Sequence, residues 1–178
     1  MSSPAPTKFN PAALAPEVMT SLKKGSALPT GKQFLLPGQL HVAIEPTTIS
    51  TILGSCVAIC LWDMKKRIGG MNHYLLPEGD ASTANRLRYG NIANPELLQQ
   101  MLAADCEVKN LQARIFGGSS AFANGGEQTL GDRNIDLAVE FVRKHGIPLL
   151  EKQVSGKRGR KLIFNTQDGT TQINNFED

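Results

Sequence analysis

Two residues in this chain have the type and setting for nucleophilic acyl chemistry: the thiol of Cys56, in Gly54-Ser55-Cys56, and the imidazole of His73, in Met71-Asn72-His73. Cys56 stands where a glycine-containing turn meets the apolar run from Val57 to Trp62. Such a junction exposes backbone N–H groups, here around Gly54 and Ser55, that can aim at a developing oxyanion. His73 lies in a second β-rich run, which can pair with the first through the charged turn from Asp63 to Arg67, so a cross-strand thiol–imidazole contact is available. A thiol of pKa about 8.5 is only slightly ionised at neutral pH, so a thiolate–imidazolium pair is the expected form of activation. Taken singly, each residue also fits a plainer role, Cys56 as a small core side chain and His73 as a backbone-bonded core histidine.

The remaining thiols and imidazoles offer less. In an extended strand Cys56 and Cys60 lie about 13 Å apart, beyond the roughly 7 Å Cα separation that a disulfide tolerates and too far for a shared zinc ion. Cys60 and Cys106 therefore read as packing residues, His41 and His145 as structural ones, and neither a metal nor a cofactor is expected.

The elements that must position Cys56 and His73 are mostly strands. Leu40 to Ile44, Thr47 to Leu53, Val57 to Trp62 and Ile68 to Leu76 are short β-rich runs divided by Pro46, Gly54 and the 63–67 turn. A helix is predicted from Asn94 as N-cap, with Pro95 at its first position, to about Cys106. Leu111 to Phe116 reads as a strand, followed by the loop Gly117-Gly118-Ser119-Ser120. A second helix runs from Asn134 to His145 and stops at Gly146. Leu149 to Val154, Lys161 to Asn165 and Thr170 to Ile173 complete the set, with turns at Gly156 and Asp168-Gly169. Two main helices against a mixed sheet make an α+β or layered α/β sandwich.

Half of the ten prolines fall in the first 35 or so residues, so 1–36 is expected to be a flexible tail and 37–178 the folded domain. Within that tail Leu14, Val18, Met19 and Leu22 are spaced for a short amphipathic helix. A net charge of +3 is too small to imply a nucleic-acid partner. The basic run from Lys157 to Lys161 reads as a solvated hairpin edge that can also meet an acidic partner surface. Three cysteines, no signal-peptide pattern and no long apolar stretch point to a cytoplasmic protein without a disulfide framework or membrane insertion.

Several separated motifs, in order, resemble the CheD family: Ser50 to Cys60, Gly70-Met71-Asn72-His73 with Pro77, Arg88-Tyr89-Gly90, Ile115-Phe116-Gly117-Gly118, Gly131-Asp132-Arg133-Asn134-Ile135, and Gly159-Arg160-Lys161 with Phe164. The resemblance spans about Leu40 to Ile173. It implies an α/β sandwich related to bacterial toxin deamidases and hydrolysis of selected glutamine side chains on methyl-accepting chemotaxis receptors. It also implies Cys56 as nucleophile, His73 as base and a threonine upstream of the cysteine as third member. Counting back from Cys56 puts that position on Ser50, and strand alternation agrees, since Ser50 shares the parity of Cys56. Thr51 takes the role only if the strand bulges near Gly54. The family's Asp-X-Gly-Gly pattern is replaced here by Gln153-Val154-Ser155-Gly156.

Receptor recognition is expected around the Cys56 cleft, from Arg88 and Tyr89 and from the loop carrying Gly117, Gly118 and Ser119. The resemblance further admits a CheC-type phosphatase as partner. A non-catalytic adaptor that docks receptors or such a phosphatase is the competing expectation.

Overall fold

The computed structural model describes residues 31–121 and 126–177. Among the described residues, nine strands and two α-helices follow in chain order as β1 (Gly31–Phe34), β2 (Leu40–Ala43), β3 (Thr47–Leu53), β4 (Val57–Asp63), β5 (Ile68–Asn72), α1 (Gly90–Ala103), β6 (Leu111–Gly117), α2 (Leu130–Lys144), β7 (Leu149–Val154), β8 (Arg160–Asn165) and β9 (Thr171–Asn175). The strands divide into two sheets, ordered β1-β3-β8-β9 and β2-β5-β4-β6-β7. Each mixes parallel and antiparallel pairs, through β1–β3 in the first and β6–β7 in the second.

Side-chain alternation along β4 explains the layering. Val57, Ile59 and Leu61 enter one apolar cluster with Leu97, Leu98 and Met101 of α1 and Ile135, Ala138 and Val142 of α2. Ala58 and Cys60 enter another with Ile49 and Leu53 of β3 and Leu162 and Phe164 of β8. A central strand buried on both faces must be apolar along its length, and β4 is from Val57 to Trp62. The result is an α/β sandwich of three layers: the four-stranded sheet, the five-stranded sheet and the helix pair.

Four sequence expectations change. The stretch expected as tail ends sooner, because Gly31–Phe34 pairs in parallel with Thr47–Ser50 and Leu35 is buried. All four residues of β1 are exposed, so backbone pairing alone holds the strand and no apolar pattern marks it. Residues 1–30, including the expected amphipathic segment, lie outside the described residues.

The first helix begins five residues and the second four residues before the expected start. The first N–H groups of α1 are taken from afar, Gly90 donating to the Leu76 carbonyl and Asn91 to that of Pro77. Asn94 is consequently not a cap but a buried residue inside the helix, and Pro95 lies beyond the first turn. In α2 the start is a capping box, Thr129 Oγ1 accepting from the Asp132 N–H while the Asp132 carboxylate accepts from the Thr129 N–H. Finally, the basic run is not wholly a solvated edge. Arg160 is buried, with Nη1 and Nη2 donating to the Gln153 and Ser155 carbonyls across the β7–β8 turn.

Candidate active site

The hairpin β4–β5 brings Cys56 and His73 to one end of the sandwich. Cys60 pairs with Met71 and, beyond the regular ladder, Val57 bridges Tyr74. That register sets His73 across from Ala58 and one diagonal step from Cys56, on the face between the two sheets. Cys56 packs against the inter-sheet cluster while remaining partly exposed. The ladder opens beside His73: the Ile59 N–H turns to the Asn72 Oδ1 instead of a carbonyl. His73 itself bonds through its backbone to Gln39 and Gly38.

The hydroxyl on the imidazole belongs to Thr51, whose Oγ1 lies 2.7 Å from His73 Nδ1. This corrects the expectation of Ser50. Parity counted from Cys56 fails because β3 and β4 belong to different sheets, and the turn through Gly54 and Ser55 resets the alternation. On β3 the inward residues are Ile49, Thr51 and Leu53, while Ser50 pairs with Ile163 on the other face and is only half-buried.

A proton count then fixes the tautomer. Thr51 Oγ1 donates its one proton to the Leu35 carbonyl at 2.7 Å, so towards His73 it can only accept. Nδ1 therefore carries the imidazole proton and Nε2 the free lone pair. Nε2 is buried and meets no hydrogen-bond partner among the described residues. An imidazole held this way is a base with its acceptor nitrogen unspent. Leu35, the residue that orients Thr51, was assigned to the tail by sequence, and a backbone carbonyl leaves no mark in the residue type.

Electrostatics corrects the expected ion pair. Burial lowers the His73 pKa to about 4, and burial is also the main influence on Cys56, raising its pKa, with a smaller lowering from its own backbone N–H. Both shifts favour uncharged forms. Thr51 is a hydroxyl, which orients an imidazole but brings no negative charge to stabilise imidazolium. The two shifts therefore run against a resting thiolate–imidazolium pair.

The turn bearing Cys56 is held at three successive carbonyls. Gly54 accepts from the Ser119 N–H at 2.9 Å and Cys56 from the Gly118 N–H at 2.8 Å. Ser55 accepts from Asn134 Nδ2 at 3.0 Å. Gly117 and Gly118 are required for this approach. Their φ values are 106° and 68°, and a Cβ on Gly117 would lie 2.1 Å from the Cys56 carbonyl oxygen.

The other expected recognition residues lie around the same end. Arg88 is exposed, donates from Nη2 to the Tyr89 hydroxyl and stacks over its ring. Its carbonyl accepts from the N–H groups of Leu75 and Leu76, bracing the segment that follows His73. Ser119 is buried and, with Gly54, Ser55, Ser120, Gly131 and Lys157, lines a cleft of about 370 Å³. Among the described residues no group of three or more His, Cys, Asp or Glu side chains is arranged to hold a metal ion.

A turn-borne thiol, a base with a defined acceptor nitrogen and an orienting hydroxyl form the arrangement of a thiol-dependent acyl-transfer site on an α/β sandwich. The comparisons with known proteins give its family. The family model described as CheD chemotactic sensory transduction matches residues 75–175, more than half of the chain. A relative from Anaeromyxobacter dehalogenans (strain 2CP-C), named "Probable chemoreceptor glutamine deamidase CheD 1", is 44% identical over 141 residues, 79% of this chain and 82% of the relative. Relatives named "Probable chemoreceptor glutamine deamidase CheD" occur in Trichlorobacter lovleyi, at 40% identity over 82% of this chain and 91% of the relative, and in Rhodospirillum rubrum, at 38% over 82% and 83%. This chain belongs to the CheD family.

Proposed function

We propose that the chain hydrolyses selected glutamine side chains of methyl-accepting chemotaxis receptors to glutamate, releasing ammonia, with Cys56 as nucleophile, His73 as base and Thr51 as the orienting hydroxyl. The observation that supports this reading is the His73 imidazole oriented through Thr51 and Leu35, its Nε2 unpartnered among the described residues, one diagonal step across the hairpin from Cys56. The family's relatives carry the deamidase name, which agrees with it.

In this mechanism Nε2 takes the thiol proton as Sγ bonds to the γ-carboxamide carbon, and the carbonyl electrons move onto oxygen. The N–H groups of Cys56 and Ser55 receive that oxyanion. Collapse of the tetrahedral intermediate breaks the C–N bond, imidazolium protonates the leaving nitrogen, and ammonia departs from a thioester. Water then attacks, giving its proton to Nε2, and the second collapse returns the thiol and frees the glutamate carboxylate. Each charge on the imidazole is transient, as a buried base of low pKa requires.

Recognition in this reading comes from the Gly117–Ser119 loop, which is bonded to the Cys56 turn, and from Arg88 and Tyr89, which brace the segment after His73. The reaction belongs to the cytoplasm, where free thiols stay reduced. Among the described residues no helix is long and apolar enough to cross a membrane. The test is ammonia release from purified receptor cytoplasmic fragments, with the converted positions read by mass spectrometry. Release by the wild type and none by Cys56→Ala is the expected result. Absence of release by the wild type, with receptor binding retained, supports the adaptor role instead.

A further inference from the structure

Asn134 is fully buried in the second turn of α2, on the helix face that meets the active-site end of the five-stranded sheet. Its Nδ2 donates to two carbonyls from different segments, Ser55 at 3.0 Å and Leu75 at 2.9 Å. Ser55 immediately precedes Cys56, and Leu75 stands two residues beyond His73. Its own backbone carbonyl accepts from the Tyr74 hydroxyl. The side-chain Oδ1 has no partner among the described residues. Turning the amide over would point that oxygen at both carbonyls, so the bond pattern admits one orientation.

The consequence lies in the peptide between Ser55 and Cys56. A trans peptide is planar, with its C=O and N–H directed oppositely. Holding the Ser55 carbonyl against Asn134 therefore aims the Cys56 N–H away from α2. We infer that Asn134 is the positioning residue of the oxyanion site: by clamping the Ser55 carbonyl it presents the Cys56 N–H to the oxygen that becomes negative when Sγ attacks. The Gly118 and Ser119 N–H groups fix the peptides on either side. Asn134 supplies the only side-chain anchor among the three bonds described for this turn and ties it to the His73 segment.

This inference rests on the proposed deamidase mechanism, and its test separates the two. Ammonia release from receptor fragments is measured for the wild type, Asn134→Ala and Asn134→Asp, alongside thermal unfolding and iodoacetamide alkylation of Cys56. Alkylation needs the thiol but no oxyanion site. The expected result is a fall in kcat of about 10²–10³-fold, as for loss of one oxyanion donor, with KM within a few-fold and alkylation near the wild-type rate. Asp, which sets a carboxylate against two carbonyls, should lose at least as much as Ala.

A kcat within twofold of wild type in Asn134→Ala overturns the inference, as does parallel loss of alkylation and deamidation in a variant that still unfolds cooperatively. If neither variant folds, the wild type decides. Binding of a glutamine-aldehyde analogue as a hemithioacetal should move the Cys56 backbone amide resonance strongly downfield, and an unmoved resonance overturns the role. A wild type that forms the hemithioacetal but releases no ammonia defeats the deamidase reading and leaves the assignment of Asn134 to the oxyanion site intact.

Discussion

The two ends of β4 solve the same problem in opposite ways. At its C-terminal end, Asp63 closes the hairpin with its own atoms: Oδ1 accepts from the N–H groups of Lys65 and Lys66, and its carbonyl from that of Arg67. Two bonds join it to elsewhere, from the Glu107 N–H to Oδ2 and from the Met64 N–H to the Asn110 carbonyl. At the N-terminal end the turn's bonds, among the described residues, all come from distant segments. The carbonyls of Gly54, Ser55 and Cys56 are gripped by Ser119, Asn134 and Gly118, which lie far along the chain. A turn that satisfies itself has no groups left for a substrate. A turn held from behind by distant elements keeps its outer N–H groups for one. The proposed chemistry sits at the end whose geometry the rest of the fold imposes.

Substitutions at the two ends should therefore separate activity from stability. The largest effect is expected for Cys56→Ala, which should reduce ammonia release by roughly 10⁴-fold or more while thermal unfolding stays cooperative. Equal turnover by this variant would remove the thiol from the mechanism. His73→Ala should follow with a loss of about 10²–10⁴-fold.

Because both shifts favour the uncharged forms, alkylation of wild-type Cys56 should rise only through the alkaline range. A fast plateau at neutral pH would restore the thiolate–imidazolium pair.

Thr51→Val should lower kcat by about 10–10²-fold and cost roughly 1–3 kcal/mol of stability, since it strands the Leu35 carbonyl and the Nδ1 proton. Ser50→Ala, next along the strand, should stay within about twofold on both counts. The reverse ranking would return the orienting role to Ser50. At the other end, Asp63→Ala should leave kcat unchanged but cost about 1–3 kcal/mol by breaking the three hydrogen bonds of its buried carboxylate. Chemical denaturation beside the ammonia assay reads both, and a fall in kcat without one in stability would erase the contrast between the ends.

The last effect is a pH dependence of stability and leaves activity aside. The His73 pKa is lowered from an ordinary 6.5 to about 4 in the folded protein. Between those values the unfolded chain binds the extra proton. Stability should thus be complete above about pH 6.5 and decline as pH falls through that window, by up to about 3 kcal/mol. His73→Gln should flatten this part of the profile. A profile as steep as that of the wild type would assign the dependence to other groups.

By itself the sequence determined the alternation of strands and helices, the thiol and imidazole on facing strands, and the family through motifs spread across the chain. These are legible because period, turn residues and reactive side chains are local properties. Gly146, for example, ends α2 at φ 66° as a C-terminal glycine should.

Only the tertiary structure decided the rest. Thr51 rather than Ser50 meets His73 because β3 and β4 part into separate sheets, and counting along the chain does not survive that change of sheet. The strand at Gly31–Phe34 exists because a neighbour offers backbone partners, and Leu35 orients the Thr51 hydroxyl through a carbonyl that every residue type carries. Asn134 stood in a quoted motif, as a polar residue in the apolar stripe of an amphipathic helix. That was the available signal, but which carbonyls it would grip depended on elements brought together from separate parts of the chain.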